Sequence, residues 1–278
     1  MDIKNILFIS DLDGTLFNSK AEISTSTANI INRIIYQGAN FSFATARSIY
    51  SALPMTKSLN INIPFILMNG VSIYDHKNKY IKNEYIPKKS SIEISELFKK
   101  HNIKGFLYRI VNNILYACYT EITDNIMQSF AEERKNKFGK PFIQCNDFKN
   151  IISGENEIYF TTTGEYKKLL PLKNDIANLE HIDFAFYEDN YTKKWFLEIF
   201  SKKASKANAI KFMRSKYGFK KVVCFGDNLN DISMFNESDL CIAVENAKPE
   251  LKQKADIITL SNDNDGVALW LYENILNP

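Results

Sequence analysis

The start of the chain alternates short apolar runs with segments of helical periodicity. Apolar runs at 6–10, 40–44 and 64–68 predict buried strands. Apolar residues spaced three or four positions apart predict helices over 24–37 and 48–58, between those strands. Strands that alternate with helices form parallel sheets, because each helix crosses back over the sheet before the next strand begins. We therefore expect an open α/β sheet in this part of the chain.

The middle of the chain has a different order of predicted elements, in which a helix is followed by adjacent strands. The predicted elements are helix 90–100, strands 105–110 and 114–119, helix 122–137, strand 157–163, helix 165–178, and strands 182–187 and 194–199. This order is typical of an antiparallel sheet with helices on one face, and thus of a separate α+β unit. After residue 205 the alternation returns, with strands predicted at 221–225, 240–244 and 256–260.

The order of predicted helices and strands therefore changes twice along the chain and divides it into domains. We predict an α/β fold with a discontinuous, Rossmann-like parallel-sheet core formed by 1–81 and 195–278. An α+β cap domain formed by 82–194 is inserted into this core. With 278 residues, the chain is long enough for two domains that each have a hydrophobic core.

Two aspartates follow the first predicted strand, in the segment Asp11-Leu12-Asp13-Gly14-Thr15. Open α/β sheets bind ligands at the carboxyl ends of their strands. Two carboxylates this close repel each other, so they need a cation, and Mg²⁺ prefers such oxygen ligands. On its own, the segment could also be a plain turn. An EF-hand calcium loop is excluded, because a strand precedes the segment and Lys20 stands where that loop needs a glutamate.

Three further segments carry polar side chains at the ends of predicted strands or at a helix start. The second strand ends in Thr45-Ala46-Arg47, and Lys206 lies at the start of a helix predicted over 205–217. The strand at 221–225 ends in Gly226-Asp227-Asn228-Leu229-Asn230-Asp231. A hydroxyl, a lysine and several carboxylates are the groups that a phosphoryl-transfer site needs.

These four segments, in this order, resemble the motifs of the haloacid dehalogenase superfamily of phosphohydrolases. The long insert between the second and third resembles the large α/β cap of its Cof-like branch. The resemblance extends over essentially the whole chain, including Asn246-Ala247 near its end. Ala46 and Glu245 depart from the pattern, since glycine is usual at both positions. A side chain there would cost about 1 kcal/mol if the backbone required a positive φ.

The resemblance implies a role for each aspartate. Asp11 is the expected nucleophile, which forms an aspartyl-phosphate, and Asp13 is the expected general acid and base. The Asp11 side chain, the Asp13 carbonyl and Asp227 are the expected Mg²⁺ ligands. Asn230 and Asp231 are expected to support the metal site without binding the ion directly, or to hold Lys206 in place, and direct binding of the metal by Asp231 is the alternative.

The same resemblance predicts contacts to phosphate and substrate. Thr45 and Lys206 are the expected catalytic partners of the transferring phosphoryl oxygens, as hydroxyl donor and point charge. Arg47, Asn69 and Asn230 are the expected substrate-binding residues. For Arg47 and Asn69, a structural role at the surface of the core is the alternative.

Composition excludes several other classes of protein. A net charge of +3 is too small to indicate a nucleic-acid partner. No apolar run is long enough for a membrane span, and the first strand begins too early for a signal peptide, so we expect a cytoplasmic protein. The four cysteines form no CxxC pair, and Cys224 and Cys241 lie in apolar strands, so we expect buried, reduced thiols.

These observations predict a phosphoric monoester hydrolase, a Mg²⁺-dependent phosphatase of small phosphorylated metabolites such as sugar phosphates. A phosphomutase or phosphotransferase on the same scaffold is the first alternative. A phosphate-binding regulatory protein without turnover is the second, which the presence of Asp11, Asp13 and Lys206 disfavours. Neither a GxxxxGKS/T segment nor a GxGxxG segment follows a predicted strand, which excludes a P-loop kinase and a Rossmann dehydrogenase.

Overall fold

The structure is a computed structural model that describes residues 3–122, 125–188 and 193–277. The strands are β1 Ile6–Ser10, β2 Asn40–Phe43, β3 Phe65–Leu67, β4 Ser72–Asp75, β5 Lys79–Asn83, β6 Phe106–Val111, β7 Ile114–Tyr119, β8 Phe142–Gln144, β9 Glu157–Gly164, β10 Ile182–Glu188, β11 Trp195–Ser201, β12 Lys221–Gly226, β13 Leu240–Val244 and β14 Ile257–Thr259. The α-helices are α1 Thr25–Tyr36, α2 Ile49–Met55, α3 Lys88–Lys100, α4 Asn125–Phe138, α5 Tyr166–Ile176, α6 Lys206–Tyr217, α7 Ile232–Phe235, α8 Pro249–Lys252 and α9 Gly266–Leu271.

The chain forms two compact units, one of residues 1–82 and 205–278 and one of residues 83–204. The predicted cap domain ends at residue 194, whereas the second unit extends to residue 204. Strand β11 pairs along its length with β9 and β10, so its residues belong to the sheet of the second unit.

In the part of the chain that the structure describes, no helix has the length and apolar character needed to cross a bilayer.

The first unit contains a parallel sheet of five strands in the order β14-β13-β12-β1-β2. Every residue of β1 is buried, as expected for a central strand covered on both faces. The parallel α/β core is therefore confirmed, and all five carboxyl ends lie at one edge. β3 differs from the expectation, because it pairs antiparallel with β4 in a separate three-stranded sheet. Only one parallel bridge, between Ala44 and Ile66, links it to the end of β2.

Capping residues define both ends of α6, the helix that carries Lys206. The Ser205 hydroxyl accepts a hydrogen bond from the backbone N–H of Asn208 at 3.0 Å, which satisfies an otherwise unpaired donor of the first turn. Gly218 ends the helix in the left-handed conformation, with φ of 72°. Lys206 is consequently the first residue of α6.

The second unit contains a six-stranded sheet in the order β10-β11-β9-β6-β7-β8. This sheet is not wholly antiparallel as predicted, since β8 pairs parallel with β7. The sequence pattern missed β8 because a three-residue strand shows no periodicity. The predicted helix 122–137 includes residues 123 and 124, which lie outside the described residues.

Helices pack on both faces of this sheet, which corrects the prediction of one covered face. Phe98 of α3 lies against Phe160 of β9, with ring centroids 5.9 Å apart, and Phe160 is the register partner of Leu107. Phe130 of α4 stacks on Phe106, with ring centroids 5.4 Å apart. Because Phe106 and Leu107 are consecutive residues of β6, their side chains point to opposite faces. α4 therefore covers the face opposite α3.

Lys140 is a buried lysine on the face of the sheet that α4 covers. Its side chain is buried, with 2% of the residue exposed, and its Nζ lies 3.5 Å from the centre of the Tyr108 ring. Among the described residues, no carboxylate pairs with this ammonium group. Burial, reinforced by the charge of Arg134, holds the pKa of Lys140 well below its ordinary value of 10.5. Burial of this amine therefore costs free energy that no ion pair with a described residue offsets.

We expect Lys140→Met to raise the free energy of unfolding by about 1–2 kcal/mol, since methionine fills the site without a polar group. The folded state binds fewer protons here than the unfolded state below pH 10.5, so wild-type stability falls as the pH falls. The increase in the free energy of unfolding should therefore be larger at about pH 6 than at about pH 9, as measured by urea unfolding. Lys135→Met, at an exposed position of α4, should change stability little. A loss of stability in Lys140→Met would show that the contact with Tyr108 outweighs desolvation.

Candidate active site

The polar residues predicted at strand ends gather at the carboxyl edge of the parallel sheet. Asp11 directly follows β1, and its backbone N–H donates to the carbonyl of Phe225 in β12 at 3.0 Å. Asp227 directly follows β12, and Thr45 comes two residues after the end of β2. The pairing of β1 with both β2 and β12 makes these three strand ends neighbours.

Lys206 joins two carboxylates in the interior of this edge. Its Nζ donates to Oδ1 of Asp11 and, at 2.7 Å, to Oδ1 of Asp231. Lys206 is 1% exposed, Asp11 6% and Asp231 0%, so water screens these charges poorly. Burial acts to lower the pKa of Lys206, but the two carboxylates outweigh it and raise that pKa. The lysine is therefore a fixed positive charge beside Asp11.

Gly70 allows the chain after β3 to approach this lysine. It has φ of +100°, and a Cβ on it would lie 2.1 Å from the carbonyl oxygen of Ser205. No side chain fits this space. The preceding Asn69 also adopts a positive φ, of 55°. The segment Asn69-Gly70 thus packs its backbone directly against the start of α6.

Asp231 acts as an anchor for the loop between β12 and α7. Its Oδ2 accepts hydrogen bonds from the backbone N–H groups of Asp227 at 3.0 Å and Asn228 at 3.1 Å. Its Oδ1 accepts the bond from Lys206. Both oxygens are thus engaged within the protein, and the geometry favours a positioning role over direct metal binding.

Asp227 lies against two residues to which the sequence analysis gave no role. The Thr15 hydroxyl donates to its Oδ1 at 2.8 Å. Gly14 has φ of +80°, and a Cβ there would lie 2.5 Å from the Asp227 Oδ2. Burial, opposed by the Thr15 hydrogen bond, raises the pKa of Asp227 to about 6. Both residues belong to the segment after β1, so the signal for them was present in the sequence.

The carboxylates of Asp11, Asp227 and Asp231 form a group able to hold a metal ion. One oxygen from each lies within 4.8 Å of the others. Burial, opposed by Lys206 and reinforced by Asp231 and Asp227, raises the pKa of Asp11 well above 3.8. Three carboxylates share one ammonium group, so the ionised cluster has an excess of negative charge. A hard divalent cation with oxygen ligands, such as Mg²⁺, fits this donor set and would offset that charge.

The Asp13 carboxylate lies outside this group and contacts Arg47 instead. The Arg47 Nε donates to Asp13 Oδ2 at 2.8 Å, and its Nη2 donates to Oδ1 at 2.6 Å. The Asp13 side chain is 49% exposed. This two-point contact keeps the carboxylate oriented at the surface of the edge. Arg47, expected to bind substrate, therefore holds the expected acid and base.

The remaining predicted residues lie on the same edge. The Thr45 hydroxyl is buried and accepts from the backbone N–H of Arg47 at 3.1 Å, which leaves its own proton free to donate. The Asn230 Nδ2 donates to Asn69 Oδ1 at 3.2 Å, at an exposed position. These two amides thus form one polar pair, although 161 positions separate them in sequence.

The sequence reasoning gave no site role to Asn246. Its Nδ2 donates to the Gly14 carbonyl at 2.8 Å, and its Oδ1 accepts from the backbone N–H of Asn262 at 2.9 Å. It thereby ties two late loops to the turn after β1. Neither Ala46 nor Glu245 adopts a positive φ, so the departures from glycine at these positions introduce no backbone strain.

A sequence profile of the haloacid dehalogenase-like hydrolases matches residues 8–271, and the chain belongs to this family. The expected family membership is thereby confirmed. A phosphatase of Bacillus subtilis is 25% identical over an alignment of 286 positions, and the alignment covers 94% of this chain and 97% of that protein. A pyridoxal phosphate phosphatase of Escherichia coli is 24% identical over 277 residues, with 96% and 97% covered. A solved Thermotoga maritima structure is 28% identical, with a TM-score of 0.78 and 96% of each chain covered.

Proposed function

We propose that this chain is a Mg²⁺-dependent phosphatase of small phosphorylated metabolites and works through an aspartyl-phosphate on Asp11. The observation that carries the proposal is the buried group in which Lys206 lies between Asp11 and Asp231, beside Asp227. A carboxylate held next to a fixed cation is oriented for attack on phosphorus. The relatives named as phosphatases support the same reaction class.

The side chains of Asp11 and Asp227 and the carbonyl of Asp13 would hold Mg²⁺. When bound, this ion neutralises charge on the phosphoryl oxygens and on the attacking carboxylate. Thr15 positions Asp227 through its hydrogen bond, and Gly14 leaves room for the carboxylate. Asp231 keeps the loop of Asp227 in place and holds Lys206.

In the first step, an Asp11 oxygen attacks phosphorus and the bond from phosphorus to the leaving oxygen breaks. Asp13 gives its proton to that oxygen, and the product alcohol departs. In the second step, Asp13 removes a proton from water while the water oxygen attacks phosphorus. The bond to Asp11 then breaks, which releases phosphate and restores the nucleophile. Lys206 and the Thr45 hydroxyl donate hydrogen bonds to the phosphoryl oxygens.

The substrate proposed is a small phosphomonoester, such as a sugar phosphate. We assign Arg47, Asn69 and Asn230 as its contacts, because their polar groups lie at the exposed rim of the same edge. To contact substrate, the Arg47 guanidinium must share or exchange its bond to Asp13. The Escherichia coli relative acts on pyridoxal phosphate, which belongs to the same chemical class.

Removal of the metal tests this function directly. We expect hydrolysis of p-nitrophenyl phosphate to stop in excess EDTA and to return on addition of Mg²⁺, because Lys206 alone cannot balance three carboxylates. Ca²⁺ should support little turnover, since it is larger and less strict in geometry. Phosphate release without any second sugar distinguishes a phosphatase from a mutase. Full activity in EDTA would contradict the metal assignment.

A further inference from the structure

Two buried cysteines face each other beneath the proposed active site. Cys224 of β12 and Cys241 of β13 are register partners in neighbouring parallel strands, so their side chains point to the same face of the sheet. Each thiol lies close enough to the other to affect its pKa. Neighbouring strands lie roughly 4.8 Å apart, within the roughly 4.4–6.8 Å between Cα atoms that a disulfide spans. The spacing of the two strands therefore lies within the range that a disulfide can span.

The two thiols have different surroundings. Cys224 is fully buried, whereas Cys241 keeps 6% of its surface exposed. The Cys241 Sγ also donates to the carbonyl of Phe235 at 3.2 Å. Interaction with the Cys224 thiol, opposed by burial, lowers the pKa of the Cys241 thiol. Cys241 is thus the thiol that a small oxidant reaches first and the one with more thiolate character.

We propose that Cys224 and Cys241 form a reversible intrachain disulfide on exposure to a peroxide, and that this bond lowers catalytic activity. The Cys241 thiolate attacks one peroxide oxygen, the O–O bond breaks, and the departing oxygen is protonated to water in the case of hydrogen peroxide. The Cys224 sulfur then attacks the Cys241 sulfenic acid, the S–O bond breaks, and a second water leaves with the Cys224 proton. Two thiols are oxidised and one peroxide is reduced.

The position of the pair connects this bond to the active site. Cys224 lies three residues before Asp227 on the same strand and loop. Phe235, which accepts from Cys241, is the last residue of α7, and this helix begins directly after Asp231. A disulfide draws the two sulfurs to bonding distance and removes the hydrogen bond to Phe235. Both ends of the segment that carries Asp227 and Asp231 are thereby shifted.

Peptide mapping of the oxidised, full-length chain tests whether the bond forms. After treatment with hydrogen peroxide, we expect a non-reducing digest to contain one cross-linked pair of peptides, with Cys224 and Cys241, lighter by two hydrogens. Cys118 and Cys145 provide the matched control, because Cys118 is in register with Ile143 and not with Cys145. The double variant Cys118→Ser/Cys145→Ser should give the same cross-link. A cross-link at any other pair, or oxidation only to sulfinic acid, would overturn the proposal.

Activity is the second readout, and it rests on the phosphatase function proposed above, whereas the mapping does not. We expect oxidation to lower kcat roughly tenfold or more, since displacements near 1 Å have effects of this size. Dithiothreitol should restore the rate. Cys241→Ser and Cys224→Ala should keep their rates under the same treatment, with folding verified by urea unfolding. If the disulfide forms and kcat is unchanged, or if both variants lose activity like wild type, the bond does not control the site.

Discussion

Asp11→Asn is expected to reduce kcat by roughly four orders of magnitude or more, because the amide cannot attack phosphorus. Asp13→Asn should have a different signature. It keeps the nucleophile and the backbone carbonyl of residue 13, but it cannot donate or remove a proton. With p-nitrophenyl phosphate, whose leaving group needs little protonation, the first step should proceed and the second should stall. Phosphorylated Asp11 should then accumulate and be detected by intact mass.

The controls separate loss of chemistry from loss of structure. Asp11→Asn should bind a phosphate analogue and unfold near the wild-type midpoint, because asparagine has nearly the same shape. Asp13→Asn should retain more of its first-step rate with p-nitrophenyl phosphate than with a sugar phosphate. If Asp11→Asn turns over, or if the adduct lies on another residue, the covalent mechanism is wrong.

Lys206→Met is expected to abolish activity and also to destabilise the fold by about 3–5 kcal/mol. The substitution leaves the carboxylates of Asp11 and Asp231 buried without their shared cation. Uncompensated buried carboxylates gain protons, so the deficit in stability should shrink as the pH falls. Urea unfolding at several pH values measures this directly.

A second substitution tests whether the cost comes from charge. The double variant Lys206→Met/Asp231→Asn removes one of the two buried negative charges, and should therefore be less destabilised than the sum of the single variants. Lys202→Met, at an exposed position close in sequence, should leave activity and stability nearly unchanged. Additive losses in the double variant would show that Lys206 contributes packing and not charge.

The location of the candidate site could be predicted because the polar residues that form it are placed by local patterns. Asp11, Thr45 and Asp227 follow apolar strands and Lys206 begins a helix, and the order of strands and helices predicts a parallel sheet with its carboxyl ends together. Asp11, Thr45 and Asp227 could thus be placed at one edge before any contact was known. Lys206 followed from the resemblance and from its place at the start of a helix.

The fold of the second unit was predicted less completely. Strand β8 has three residues, too few to show a period, and its pairing with β7 depends on distant neighbours. The side of the sheet that α4 covers depends on where Phe130 finds aromatic partners, which the periodicity of α4 does not specify. Such features depend on long-range packing.

The sequence by itself determined the family, the parallel core and a set of candidate site residues, because these depend on local patterns in a defined order. Only the tertiary structure decided which of these residues hold one another. Arg47 binds Asp13, Thr15 binds Asp227 across 212 positions, and Cys224 faces Cys241. Each of these contacts is set by strand register and loop geometry, and no residue's own pattern records its distant partner.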